Sequence, residues 1–510
     1  MNNLLKIFLF LLLFLLLHTL HPNILFSQLV SDFKLNDDTT NQPQYDAKIG
    51  TDKNGNFTVV WTDWREEGTE GVNVNVYCQR FLSNAEFVGD NFRINEITGS
   101  SSSPDIAVRG NGSFLVCWKD FGVKARIFNN QGIPFGATFR INDSLMNTVI
   151  NTPKVGTDSI GRYVICWQEY VIGQYGNIFF QRLDSSGNKI GNNIKVNDDT
   201  VSVEHENPSI IVKTDGSFII TWNDFRPPAI QDGDDIYFQM YDRFGNKDGV
   251  NEKVNDDFGP LNLQHSPKIS ADSSGDFIIA WNDDRLDITN NEVFGQRFDS
   301  KGLQINSNFR VTQSSISIVK GLASVYKRAN GDFIIYWTEF RNIPQPYFQR
   351  YLNSGNILGN NFLVTNEASF AEKISNDIQI YNDRVPSIWS DSRNGNLDIY
   401  CNIRSFTTPD TTVGISQISH IVPEKFNLYQ NYPNPFNSQT IIKIDLFKKE
   451  IYSLRIYNLL GQLVDEIFNQ AMNVGSYQIN YDASSLPSGV YVYNLSSNQE
   501  NLVKYFILLK

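Results

Sequence analysis

The sequence predicts an all-β chain, a seven-bladed β-propeller closed by an N-terminal strand and followed by a small immunoglobulin-like β-sandwich. Three observations predict it. A stretch of the type DFIIAWNDDR, Asp276 to Arg285, recurs around Trp61, Trp118, Trp167, Trp222, Trp281, Trp337 and Trp389. The intervals, about 49 to 59 residues, are the period of a propeller blade. The copies stop near Phe406, and the last lacks a fourth-strand pattern that turns up instead near the N-terminus.

Composition agrees with this class. Apolar residues make up 41% of the 510 and aromatics 13%, enough for a large core and weighted towards strands. The net charge is −12, with no block of like charge. A nucleic-acid partner is therefore not expected, since phosphate binding needs a basic face.

Taken in order, the chain opens with Lys6, an apolar run from Ile7 to Leu17, and a small residue, Ser27. This pattern reads as a secretory signal peptide over residues 1–27, cut before Gln28. Eleven unbroken apolar residues are short for a membrane span, and no later stretch qualifies. The mature chain is expected to hold no transmembrane segment.

DFKLNDD, Asp32 to Asp38, follows. It matches the fourth-strand endings IKVNDD (Ile194 to Asp199) and EKVNDD (Glu252 to Asp257). The seventh copy ends after a third strand, Asp398 to Phe406, so the N-terminal segment can complete it and leave no open edge. The propeller then spans 28–406. Within the fifth copy the expected strands are Pro267 to Ala271, Phe277 to Trp281, Glu292 to Phe298 and Phe309 to Thr312. The second is continuously apolar, the signature of a strand buried on both faces. Turns of the form D-x-x-G separate the strands.

An acid stands two residues after each repeat tryptophan, and in five copies an arginine stands four after it. A period of two puts all three on one face of the strand. Recurrence in nearly every copy marks a packing brace rather than a catalytic ring. The four cysteines, Cys78, Cys117, Cys166 and Cys401, occupy equivalent places in separate blades. They read as small buried hydrophobes, not disulfides or zinc ligands. No metal or other cofactor is expected.

Binding chemistry is expected on the face of long, variable loops, such as Arg226 to Asp235 and Asn197 to Pro208. The candidates are His205 and His265 in corresponding loops, with Glu204, Glu206, Asp232, Asp234 and Asp235 beside them. Read functionally, these groups form an acid/base or metal site, and read structurally they are exposed loop residues. The segment Ser270 to Trp281 is only loosely similar to the Asp-box of sialidases, with the wrong spacing.

Thr407 to Val422 reads as a polar linker. Beyond it stand NYPNPFN (Asn431 to Asn437), IYNLLGQ (Ile456 to Gln462), LPSGVY (Leu486 to Tyr491) and a terminal lysine. Residues 423–510 thus closely resemble the type A C-terminal sorting domain of the type IX secretion system of Bacteroidetes-type bacteria. The resemblance implies a small β-sandwich, export across the outer membrane by that machinery, and removal of the domain there. Alternating apolar strands broken at Gly461, Gly475 and Gly489 independently suit a sandwich.

Together these readings make the chain a secreted or cell-surface propeller. The leading expectation is a non-catalytic protein that binds a glycan or a protein through its long-loop face. The alternative is a secreted carbohydrate-active enzyme, a hydrolase or lyase, on the same scaffold.

Overall fold

The computed structural model describes residues 28–65, 74–96, 100–143, 148–226, 233–256, 263–286, 291–311, 319–340, 343–365, 371–406, 414–419, 423, 425–437, 439–472, 474–483, 486–497 and 500–509. Every regular element among them is a strand, and no helix is long and apolar enough to cross a membrane. The proposed signal peptide lies outside the described residues. The chain divides into two compact units. The larger consists of Leu29–Thr365 and Ser369–Arg404, and the smaller is built on Ser405–Lys510.

The larger unit is propeller-like. Its described residues form seven four-stranded sheets, each with one repeat tryptophan on an inner strand, the second in chain order in six of them and Arg384–Asp391, the third, in the seventh. All seven indoles are fully buried. In the Trp281 sheet the strands are Gln264–Ala271, Phe277–Asp283, Glu292–Phe298 and Gln304–Arg310. Every residue of Phe277–Asp283 is buried, because the sheet is covered on both faces, and this is why the run is continuously apolar. The core is divided between neighbouring sheets. Ile219 and Phe238 of the Trp222 sheet pack with Phe277 and Trp281 of the next.

The fourth strand lies earlier than the expected Phe309 to Thr312. It is Gln304–Arg310, mostly exposed, and an outer strand facing water carries little apolar signal. The N-terminal strand, Gln28–Lys34, also begins earlier than Asp32. It hydrogen-bonds to Asp398–Ser405 and completes the Trp389 sheet. The Leu35 amide donates to Ile399, and the Ile399 amide donates to the Asn36 side chain. Ile94, Ile141, Val196, Val254, Val311 and Val364 make the same backbone bond in the other six sheets.

The first strands pack on one another in chain order, and Lys373–Ile378 packs against both Lys320–Lys327 and Gln44–Thr51. Each first strand carries a register shift. In five of them it coincides with a non-glycine residue at positive φ, namely Asp46, Ser103, Thr152, Asn207 and Ser266. The four cysteines are buried free thiols.

The smaller unit is two four-stranded sheets around one core. Ile442, Ile444 and Ile479 of one sheet meet Leu454, Ile456, Tyr493 and Phe506 of the other. The NYPNPFN motif is docked onto the last strands. Asn431 donates its amide to the Tyr493 hydroxyl, the Asn434 carbonyl oxygen accepts from Ile507, and Phe436 is buried. Part of the expected linker is not a linker. Gly414–Ser419 forms a strand paired with Gly475–Asp482.

Candidate functional site

Five of the seven repeat tryptophans form the brace that their spacing implies. The indoles of Trp61, Trp167, Trp222, Trp281 and Trp389 donate to the acid two residues on, at 2.7 to 3.0 Å. Among the described residues Trp118 and Trp337 offer their indole N–H to no acceptor. The acid in turn holds the arginine, as Asp283 holds Arg285 at 2.7 Å. Arg65, Arg226, Arg285 and Arg393 lie 4.1 to 4.5 Å over an aromatic ring of the third strand. Arg226 and Arg285 also reach an aspartate of the preceding sheet, Asp198 and Asp256. Arg65 reaches Asp37 in the same way, just after the N-terminal strand.

His205 does not lie in an exposed loop. It opens the strand His205–Val212, opposite Asp224, and is almost wholly buried. Its Nδ1 bonds the Gly176 carbonyl at 3.0 Å. Its Nε2 lies 3.0 Å from Asp199 and 3.6 Å from Asp224, without hydrogen-bond alignment to either. Gln44, Gln264, Lys320 and Lys373 stand opposite the corresponding acids of other sheets. His205 is thus one version of a recurrent polar partner. The polar residues that open these strands look like loop in sequence, which is why the strand start is missed.

Asp235 is likewise a strand residue, neutralised by Lys253 at 2.7 Å and bonded by Asn255. His265 is in a strand too, with Asn291 donating to its Nε2 at 2.9 Å. Burial lowers its pKa. Asp232 lies outside the described residues, as does much of the long loops.

Glu206 lies close enough to both Glu204 and Asp234 for their charges to couple. Glu204 accepts from the Gly176 amide at 2.9 Å and from Gln168 at 2.6 Å. Burial raises the pKa of Glu206, and the charge of Glu204 adds to it. Asp234 accepts from Asn223 and from the Gln264 amide. Burial pushes its carboxyl up to about 7, with a further rise from Glu206. A carboxyl pushed up to about 7 and a second raised by burial, with a third fixed by backbone and amide donors, are groups suited to proton transfer.

One set of residues escaped the sequence reading. The position after each brace acid is Trp64, Phe121, Tyr170, Phe225, Asp284, Phe340 and Ser392, aromatic in five of seven sheets. Phe121 is 88% exposed and Phe340 41%. The Phe225 amide donates to the Glu204 carbonyl, and Tyr175, more than half exposed, adjoins Gly176. The signal was legible as W-x-[D/E]-aromatic, once the repeats were aligned. Among the described residues no group of three or more His, Cys, Asp or Glu is arranged to hold a metal ion.

Residues 430–509 match the family described as Secretion system C-terminal sorting domain. The C-terminal region is therefore a type IX sorting domain, and the chain is exported to the cell surface or secreted. No curated protein matches the chain. Among solved structures, the polysaccharide lyase Uly1 is similar over 73% of this chain and 100% of its own, at 11% identity and a TM-score of 0.46. A protein of unknown function from Dyadobacter fermentans is similar over 75% and 99%, at 10% and 0.44. An α-L-arabinofuranosidase of family GH93 from Fusarium graminearum is similar over 73% and 97%, at 9% and 0.41.

Proposed function

We propose that this chain is an exported seven-bladed β-propeller acting on carbohydrate outside the cell, as a hydrolase or lyase. Asp234 and Glu206 carry protons in this reading, and Glu204 holds the site in place. The carrying observation is that Glu206 lies close enough to Glu204 and to Asp234 for their charges to act on one another, since carboxyls whose pKa values are raised move protons. The ring of seven blades is supported by the cyclic packing of the first strands and by the N-terminal strand in the last sheet. In the same reading, residues 1–27 are a signal peptide, 28–406 the propeller, and the C-terminal unit an immunoglobulin-like sandwich read by the type IX machinery.

A binding protein without turnover is the second reading. What favours it is that Asp234 is only 4% exposed, and a general acid must reach its substrate.

The test is incubation of the purified protein with a panel of neutral and acidic polysaccharides, followed by product analysis. Asp234→Asn and Glu206→Gln should each lower product formation at least 100-fold, in line with loss of a general acid or base, with the fold retained. Binding of a polysaccharide with no product from the wild-type protein would decide for the second reading. Product formation unchanged in both variants would remove these carboxyls from the mechanism.

A further inference from the structure

The residue after each brace acid takes the same place in six of the seven sheets. In five of them its amide donates to the carbonyl just before the first strand of the hairpin: Trp64 to Pro43, Phe225 to Glu204, Asp284 to Leu263, Phe340 to Val319 and Ser392 to Glu372. Tyr170 has that place as the ladder partner of Val149. The Trp118 sheet is the exception. There Phe114–Lys119 and Val123–Phe128 are joined by a tight turn, in which the Asp120 amide donates to the Gly122 carbonyl at 2.8 Å and Phe121 stands at the tip.

Core packing does not account for the most exposed of these rings. Phe121 is almost wholly in water and sits at φ 42°, the left-handed region where a bulky side chain is out of place. A ring held in solvent against a backbone cost adds nothing to the fold, and such strain gathers at sites of function. Trp64 is the one tryptophan of the eight outside the repeat set. It is half-buried, and its indole N–H donates to the Tyr45 hydroxyl at 2.9 Å, which fixes the ring in one orientation. Phe340 lies so close over Gly321 that a Cβ there would come within 2.9 Å of the ring. It rests on backbone and still meets solvent.

We propose that these positions form a carbohydrate-binding rim, in which Trp64, Phe121 and Phe340 stack on the C–H faces of sugar rings. Trp64 and Phe225 each stand between an aspartate and an arginine that pair with one another, Asp63 with Arg65 and Asp224 with Arg226. Single rings set among ion pairs lack the continuous apolar centre of a protein interface, whereas a sugar offers an apolar face edged with hydroxyls. Rings at the same end of successive sheets suit a polymer that repeats one face along its length, since weak contacts to a single chain reinforce one another. The inference rests on the carbohydrate reading above, but not on catalysis by Glu206 or Asp234.

The experiment is affinity electrophoresis of the purified full chain through native gels holding soluble starch, β-glucan, xylan, arabinan or galactomannan. Every protein carries Asp234→Asn, so that retardation reads binding alone. Retardation of this parent chain in at least one gel is expected. In that gel Trp64→Ala and Phe121→Gly should each lower the apparent affinity by about fivefold or more, in line with the loss of one stacked ring. Phe121→Gly should also leave the melting temperature unchanged or raise it, because glycine adopts that backbone freely, whereas loss of a merely structural ring would lower it. Phe244→Ala removes an exposed ring from the Asp242–Gly245 turn at the opposite end of its sheet and should leave retardation unchanged. If Trp64→Ala does not fold, Phe121→Gly carries the test. No retardation in any gel, or equal retardation of the parent chain and Phe121→Gly, overturns the inference. Ring-dependent retardation, with no product from the chain that keeps Asp234, would uphold the rim and overturn only the catalytic reading.

Discussion

At the scale of residues, the brace concentrates several interactions on one carboxylate. Asp283 accepts from the Trp281 indole and from Arg285, so one side chain fixes a ring in the core and a cation at its rim. Trp281→Ala should cost about 3 to 5 kcal/mol in a denaturant titration, the range for a large aromatic removed from a core. Asp283→Ala should cost about 1 to 3 kcal/mol, because it leaves a buried indole donor unpaired. A change below 1 kcal/mol for Trp281→Ala would mean that the indole does not brace the sheets. Asp234 makes the pH-dependent prediction. Its folded pKa of about 7 lies above the unfolded value near 3.9. The native state therefore holds an extra proton between those values, and stability falls as pH rises from about 4 to 7. Asp234→Asn should flatten that part of the melting profile. An unchanged slope would show that the carboxyl titrates normally.

At the scale of elements, what the sequence disclosed depended on how each strand meets water. Second strands were legible because both faces are covered, which leaves an unbroken apolar run such as Phe277 to Trp281. Fourth strands were placed late because Gln304–Arg310 is mostly exposed and only its apolar end stands out. His205 was hidden by the polar residues around it. For the site, the carboxylates Glu204, Glu206 and Asp234 were named from loop position alone. Only the fold shows that Glu206 lies close enough to the other two for their charges to couple, while Asp235 is taken by Lys253. The N-terminal strand was found because its KLNDD ending copies a pattern repeated elsewhere. Deleting Gln28 to Asp38 should strip a full edge of backbone partners from Asp398–Ser405, and Asp37 from Arg65. Lower melting temperature and aggregation are expected by scanning calorimetry and light scattering. Identical melting of the truncated and intact proteins would show that the strand adds nothing.

At the scale of the whole molecule, export and processing depend on where one unit ends and the other begins. Phe406 is buried and Gly414 already belongs to a ladder of the smaller unit, and backbone in such positions resists proteolysis. We therefore expect the processing cut between residues 407 and 413, read by mass analysis of the C-terminus of secreted protein. An intact Lys510 end on most molecules would count against removal. A chain ending before Gly414 should accumulate in the periplasm with its larger unit folded, and normal export of that chain would contradict the sorting role. The pairing of Gln28–Lys34 with Asp398–Ser405 has a bearing on time as well as on shape. The first strand to leave the ribosome must wait about 370 residues for its partner, a separation that slows folding. The larger unit thus stays incomplete, and its last sheet keeps an open edge, until nearly all of it has been delivered. The sorting domain arrives only after that partner strand, so the chain gains its address for the outer membrane once the pieces needed to finish the larger unit are present.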